Sequence, residues 1–161
     1  MKPKVYLETT VVSYLTARPS REAIMAGMIE QTKRWWADER QGFDLLVSDV
    51  VVAEAAAGDA NAAARRLAVL KDLETVEADA EAKALATVFL DNMALPPKAV
   101  DDAAHIAIAA VNEMDYLLTW NCRHIANAAM RPKLEHLCLS NGYRCPIICT
   151  PHELRRPEHE D

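Results

Sequence analysis

Short apolar runs along the chain alternate with longer stretches in which apolar positions recur every three to four residues. The first pattern predicts buried strands and the second predicts helices with one buried stripe. Strand-forming runs stand at Lys4–Glu8, Phe43–Ser48, Leu73–Glu77, Tyr116–Thr119 and Ile147–Thr150. Between the first two runs, Val11–Ala17 reads as a short helix. Arg21–Asp38 reads as a longer one, with Ser20 as N-cap and Glu22 in its first turn. That helix presents Ile24, Met28, Ile29, Trp35 and Trp36 to the protein. The two tryptophans fit a core or a subunit interface better than a base-stacking platform.

After the second strand, Ser48 or Asp49 caps a helix that carries Val51, Val52 and Glu54 and stops at Gly58. Asp59-Ala60 opens another helix through Leu70, with Arg65 and Arg66 on its outer face. Asp79 caps a helix striped by Ala82, Leu85, Ala86, Phe89 and Met93. The rigid Pro96-Pro97 link then delivers the chain to Asp101-Asp102, which open an alanine-rich helix with Ile106, Ala107, Ala110 and Met114 on one stripe. A short helical stretch is expected around Ile125, and a helix from Arg131 to Leu139 ends at Asn141-Gly142.

Strands and helices alternate with no internal repeat or linker. This order predicts an α/β fold: a three-layer α/β/α sandwich with a mostly parallel, roughly five-stranded sheet. One domain is expected over residues 1–156, followed by a charged, disordered tail over 157–161.

Composition narrows the function. Of 161 residues, 51% are apolar and 26% charged, which is ordinary for a soluble domain. No apolar run reaches the roughly 18 residues of a membrane span, and the N-terminus has no signal-peptide core, so a cytoplasmic protein is expected. The net charge of −6 argues against broad electrostatic capture of nucleic acid. Any nucleic-acid footprint is therefore local, with Arg18, Lys98, Arg123, Arg131, Lys133 and Arg144 as scattered candidates. The four cysteines, Cys122, Cys138, Cys145 and Cys149, form no CxxC pair and match no zinc-site spacing, so reduced thiols are expected. No GxGxxG, GxxxxGK[ST] or GxSxG motif is present, and no DxDx[TV] nucleophile motif either.

What remains is carboxylates at strand ends. Glu8 ends strand one, Glu54 follows strand two, Asp102 opens the helix before strand four and Asn121 follows strand four. If strands one and four are neighbours, these side chains share one cleft at a topological switch point. Crowded carboxylates repel unless protons or a cation offset them, and hard oxygen ligands suit Mg²⁺ or Mn²⁺. His105, three residues after Asp102, either touches this cleft or is satisfied by a backbone carbonyl or at a dimer interface. Asp101 is either a helix cap pointing outward or an acid in support of the site.

These motifs resemble the PIN domain, and more closely the VapC-type toxin ribonucleases of toxin–antitoxin pairs. Val5-Tyr6-Leu7-Glu8-Thr9-Thr10 is similar to the family's opening strand, which ends in Asp-Thr-Ser or Asp-Thr-Thr. Leu46–Glu54 resembles its second segment, with Glu54 at the acidic position. Asp102–Ala107 resembles the helix with the third acid, and Leu117–Asn121 the strand and loop with the fourth. The resemblance implies a metal-dependent endoribonuclease in which Glu8, Glu54 and Asp102 hold Mg²⁺ or Mn²⁺ around an attacking water. It implies that Thr9 and Thr119 shape the site and that Asn121 orients a metal-bound water. A small antitoxin protein, an RNA substrate and a homodimer are the implied partners. Two positions depart from the pattern. Glu8 stands where the family usually has Asp, and His124 stands where an Asp often follows the fourth position by three residues. These departures keep open a second expectation, a PIN-fold protein with a weakened site that binds protein or RNA.

Overall fold

Residues 1–158 are described by a computed structural model, so the part of the expected tail from position 159 onward lies outside the described residues; Pro157 and Glu158 carry no regular structure. Five strands form one sheet: β1 (Lys4–Leu7), β2 (Asp44–Ser48), β3 (Glu74–Val76), β4 (Tyr116–Leu118) and β5 (Ile147–Cys149). Their spatial order is β3-β2-β1-β4-β5, and every neighbouring pair is parallel. The register sets Tyr6 beside Leu46 on one side and Leu117 on the other. Each strand is only three to five residues long and turns at once into a helix or a loop; β1, β2 and β4 are largely buried, whereas the edge strand β3 is mostly exposed.

Among the described residues the seven α-helices are α1 (Thr9–Leu15), α2 (Ala23–Asp38), α3 (Asp49–Ala55), α4 (Ala60–Leu70), α5 (Ala80–Asp91), α6 (Val100–Val111) and α7 (Arg131–Ser140). Right-handed crossovers fix their sides. The path β1 to β2 to β3 moves one way across the sheet and leaves α1–α4 on one face. The path from β3 to β4 and on to β5 moves the other way and leaves α5–α7 on the other. Packing agrees: α1 lies against α2, α3 and α4, whereas α5 lies against α6 and α7. The sequence reversal occurs between β1 and β4, which are neighbours, so the sheet has its switch point where the polar residues gather. No helix among the described residues is long and apolar enough to cross a membrane.

The core is densest under β1 and α6. Val5, Tyr6 and Leu7 are buried throughout, and α6 buries every residue from His105 to Ala110. A one-sided stripe does not do this; α6 is covered by α5 and β4 and also touches α3. Its alanines allow this close approach. Trp35 stacks on Phe43 and donates its indole N–H to the Leu154 carbonyl at 2.9 Å, while Trp36 carries the Arg40 guanidinium 3.9 Å above its ring. The tryptophan pair thus serves packing.

Several local expectations change. The helix expected from Arg21 begins at Ala23, where the Glu22 carboxylate caps two N–H groups and Ser20 only accepts from Glu22. Ile24 consequently falls on the exposed side. Arg65 and Arg66 are half-buried, because their guanidinium N–H groups satisfy the open carbonyls of Thr16, Ala55 and Ala57 at the ends of α1 and α3. Asp101 and Asp102 do not cap α6: its N-cap is Ala99, and both aspartates lie in the first turn. The stretch around Ile125 is a series of turns closed on the Asn121 carbonyl. The four cysteines are free thiols, Cys138 and Cys149 buried.

Because α6 is walled in, enlarging one of its alanines has no room to be absorbed. Ala107→Leu is expected to lower unfolding free energy by about 1–3 kcal/mol, read from a urea transition with unchanged slope. An unchanged midpoint would mean that α6 packs loosely.

Candidate active site at the carboxyl ends of the central strands

The site is built by strand ends that cap the following helices. At the end of β1 the backbone is still extended at Glu8 (φ −77°, ψ 155°) and helical from Thr9 onward, so Glu8 is the N-cap of α1. Its carboxylate curls back to accept from the Thr10 N–H at 2.9 Å, the Thr10 hydroxyl at 2.5 Å and the Thr119 hydroxyl at 2.6 Å. Glu8 is only 4% exposed. The same device recurs at β2, where Ser48 caps α3 through the Val51 N–H. Thr119 follows β4, is fully buried, and also accepts from the Asn121 N–H at 2.9 Å. Thr10 ties the loop after β4 to α1 by accepting from the Trp120 N–H.

Glu54, on α3, is half-buried and does not turn to solvent. Its Oε1 accepts from the Thr9 hydroxyl at 2.7 Å and from His105 Nε2 at 2.5 Å. A carboxylate only accepts, so Nε2 carries the proton. The other ring nitrogen lies 2.7 Å from the Tyr6 hydroxyl, which lies 2.7 Å from Ser48 Oγ. A chain of four side chains, buried from His105 onward, therefore runs Glu54–His105–Tyr6–Ser48, crossing from α3 through α6 and β1 to the end of β2.

Burial by itself pushes the His105 imidazole toward the neutral form. The Glu54 hydrogen bond and the fields of Glu8, Glu54 and Asp102 outweigh it and raise its pKa. Burial would likewise raise Glu54, but its hydrogen bond and charge interaction with His105 and the Thr9 hydrogen bond hold it below the usual range. Burial keeps Tyr6 a phenol well beyond its ordinary value. On the protonated ring Nδ1 donates to Tyr6, whose hydroxyl donates to Ser48.

Asp102 makes a separate cluster. Asn121 Nδ2 donates to its Oδ1 at 3.1 Å, and His124 Nδ1 lies 3.0 Å from its Oδ2. The Asn121 side-chain oxygen in turn accepts from the His124 backbone N–H at 3.0 Å. Asp102, Asn121 and His124 thus close a triangle, with both acid and imidazole about one-fifth exposed. Asp101 is exposed, and among the described residues its side chain makes no hydrogen bond.

Of the residues singled out from the sequence, Glu8, Thr9 and Thr119 line the buried floor, and Glu54 and His105 join it through Thr9. Asp102, Asn121 and His124 form the rim, while Asp101 stands apart. Tyr6, Ser48 and Thr10 were not legible as part of the site. Tyr6 reads as an ordinary strand residue, and only its inward register beside Leu117 puts its hydroxyl in reach of α6.

These side chains do not fit a divalent ion as they stand. Five of the six carboxylate oxygens of Glu8, Glu54 and Asp102 already accept hydrogen bonds, Glu54 Oε2 being the exception. Among the described residues no three histidine, cysteine or acidic side chains come together in a way that could hold a metal ion. The expectation that Glu8, Glu54 and Asp102 hold Mg²⁺ or Mn²⁺ therefore meets acids whose charge is offset from inside, by hydroxyl donors and by two imidazoles.

The His105–Glu54 pair makes stability depend on pH with a definite sign. Raised above its ordinary 6.5, His105 contributes stability that is full below pH 6.5 and lost as pH rises through its folded value. Lowered from 4.5, Glu54 contributes stability that is full above pH 4.5 and lost as pH falls through its folded value. His105→Gln is expected to cost about 1–3 kcal/mol, most between those limits and less as the medium becomes alkaline. Urea transitions of both proteins from pH 4 to 9 check this; a loss independent of pH would contradict the charged pair.

No protein-family model and no curated protein matches the sequence. Solved structures do. The VapC20 toxin of Mycobacterium tuberculosis, described as cleaving the sarcin–ricin loop, superposes with a TM-score of 0.59 at 14% identity, over 74% of this chain and 92% of that one. VapBC2 of Rickettsia felis, bound to a DNA fragment from its promoter, gives 0.53 at 12% identity, over 91% and 97%. DNA-bound VapBC of Salmonella typhimurium gives 0.53 at 14% identity, over 92% and 98%. The parallel order β3-β2-β1-β4-β5 with its helices on both faces is thus the PIN fold in the form found in VapC toxins.

Proposed function

We propose that this chain is a ribonuclease of the VapC kind, acting on RNA at the cleft where β1 and β4 end. The observation that carries this reading is that three acids from separate elements gather where the central strands end, Glu8 held by Thr10 and Thr119, Glu54 by Thr9 and the buried His105, and Asp102 by Asn121 and His124. A fold needs no such gathering of acid for its own sake: like charges packed together cost stability, and such sites are more often functional than structural. The gathering lies at the switch point of a parallel sheet, where ligands bind in folds of this type. The VapC20 structure supports RNA as the substrate class, and the two VapBC structures support a small antitoxin as partner. A homodimer in the cytoplasm completes the proposal. The Mg²⁺ or Mn²⁺ that the resemblance implies is left out of the reading, because the acids are engaged by donors of the chain itself.

That engagement favours one other reading, a PIN-fold protein that binds RNA or a protein partner without cutting. One assay separates them. Purified protein is incubated with total bacterial RNA and with a sarcin–ricin-loop hairpin, in EDTA and in Mn²⁺, and both cleavage and retention on the protein are measured. A ribonuclease yields discrete fragments in at least one condition, and Glu54→Gln lowers the rate about 10²-fold or more. Retention of RNA without fragments in either condition would support the binding protein and contradict the ribonuclease.

A further inference from the structure

We infer that Cys138 and Cys145 are a reversible modification site: a small disulfide such as oxidised glutathione, entering by the groove beside β5, converts the two thiols into a bond that ties α7 to that strand. The sequence offers no CxxC pair, and six residues separate these two cysteines. The turn after α7 brings them back together. The helix ends at Ser140 with Asn141 as its C-cap, and Gly142 takes the left-handed φ of 85° that a Cβ disfavours. The Gly142 N–H then donates to the Leu139 carbonyl at 3.1 Å, and the Tyr143 N–H to the Cys138 carbonyl at 2.9 Å. The chain has reversed onto the residue it left. Two positions further on, the Cys145 side chain meets that of Cys138, one thiol hydrogen-bonded to the other.

The two members differ in what can reach them. Cys138 is fully buried in the core. Cys145 is partly exposed and lines a groove of about 760 Å³ together with Arg131, Tyr143, Pro146 and Ile147. That volume is in the range of small-molecule sites, roughly 300–1,000 Å³. Arg131 gives one guanidinium N–H to the Ile148 carbonyl at 3.2 Å, and its Nε is a buried donor with no acceptor among the described residues. Its charge favours a thiolate at Cys145 and suits the carboxylates of glutathione. Residues 141–146 are neither helix nor strand, so Cys145 has the backbone freedom to draw its sulfur to bonding distance.

The shared proton sets the order of events. The hydrogen bond between the thiols holds Cys138 below the ordinary thiol value, and the same bond and burial hold Cys145 above it. Cys145, the sulfur that can be reached, attacks one sulfur of oxidised glutathione as its proton passes to the Cys138 thiolate. An S–S bond to glutathione forms, and a glutathione thiolate leaves and takes the proton back from Cys138. The Cys138 thiolate then attacks the Cys145 sulfur and expels the second glutathione thiolate. Two protein thiols are oxidised to one disulfide, and one glutathione disulfide is reduced to two thiols. Excess reduced glutathione runs the same steps in reverse.

The test uses the full chain in mixtures of reduced and oxidised glutathione, with the remaining thiols then blocked by an alkylating agent. Trypsin cuts after Lys133, Arg144 and Arg155, which puts Cys138 in one peptide and Cys145 in the next. Expected is the loss of two of the four free thiols and a linked species joining Leu134–Arg144 to Cys145–Arg155, with Cys149 alkylated in it. The exchange constant is expected to be about 10²-fold larger for the folded chain than in urea, because folding already holds the two sulfurs together. In Cys138→Ala the mixed disulfide at Cys145 is expected to persist, and in Cys145→Ser neither form is expected. Exposure alone favours Cys122, so the peptide map separates exposure from pairing. Glutathione retained on wild-type Cys145 with no internal bond, loss confined to Cys122, a bond to Cys149 instead, or an equal constant in urea would each overturn the inference. The wild-type map decides this even where a variant fails to fold.

Discussion

Three carboxylates brought to one edge of a parallel sheet must have their charge offset, and the whole site is arranged around how this chain does it. The usual remedies are protons, a cation or internal donors. Here the buried His105 directs a ring proton at Glu54, and His124 faces Asp102. Hydroxyls of Thr9, Thr10 and Thr119 take up much of what remains. The Glu8 carboxylate folds back onto its own helix terminus, as Asp59 and Asp79 do at theirs.

The fold makes that solution possible because it places β1 between β2 and β4. Tyr6 reaches from the middle strand to Ser48 on one side and to α6 on the other, so the chain Glu54–His105–Tyr6–Ser48 fastens both helical layers to the sheet. The small residues of α6 bring His105 close enough to join it. The candidate cleft and the core are therefore one structure: the floor of the site is hydrogen-bonded into the packing, while Glu54 and the rim of Asp102, Asn121 and His124 keep part of their surface open.

Much of this was legible in the sequence. Apolar runs and helical stripes located every strand to within a residue or two, and the alternation of elements gave the layered sheet. The acids at strand ends located the cleft, because a residue that ends a strand in such a sheet has few other places to go. Less legible was where each polar side chain turns. Glu54 was placed in the cleft by its position after strand two, but nothing local reveals that His105, fifty-one positions away, will meet it. Tyr6 carries no motif at all. The caps of α2 and α6 were misread because Glu22 outreaches Ser20, and because Ala99 opens α6 with a bend of the backbone instead of a side chain. These are contacts of tertiary structure, and a one-dimensional pattern does not contain them.

The central claim is that internal donors, not an ion, offset the acids of the cleft. Crystals of the protein soaked in Mn²⁺ and measured at the manganese edge test it most directly. The account predicts no anomalous peak among Glu8, Glu54 and Asp102, with His105 within hydrogen-bond distance of Glu54. A fully occupied manganese bridging Glu54 and Asp102, with His105 or His124 turned away, would contradict it.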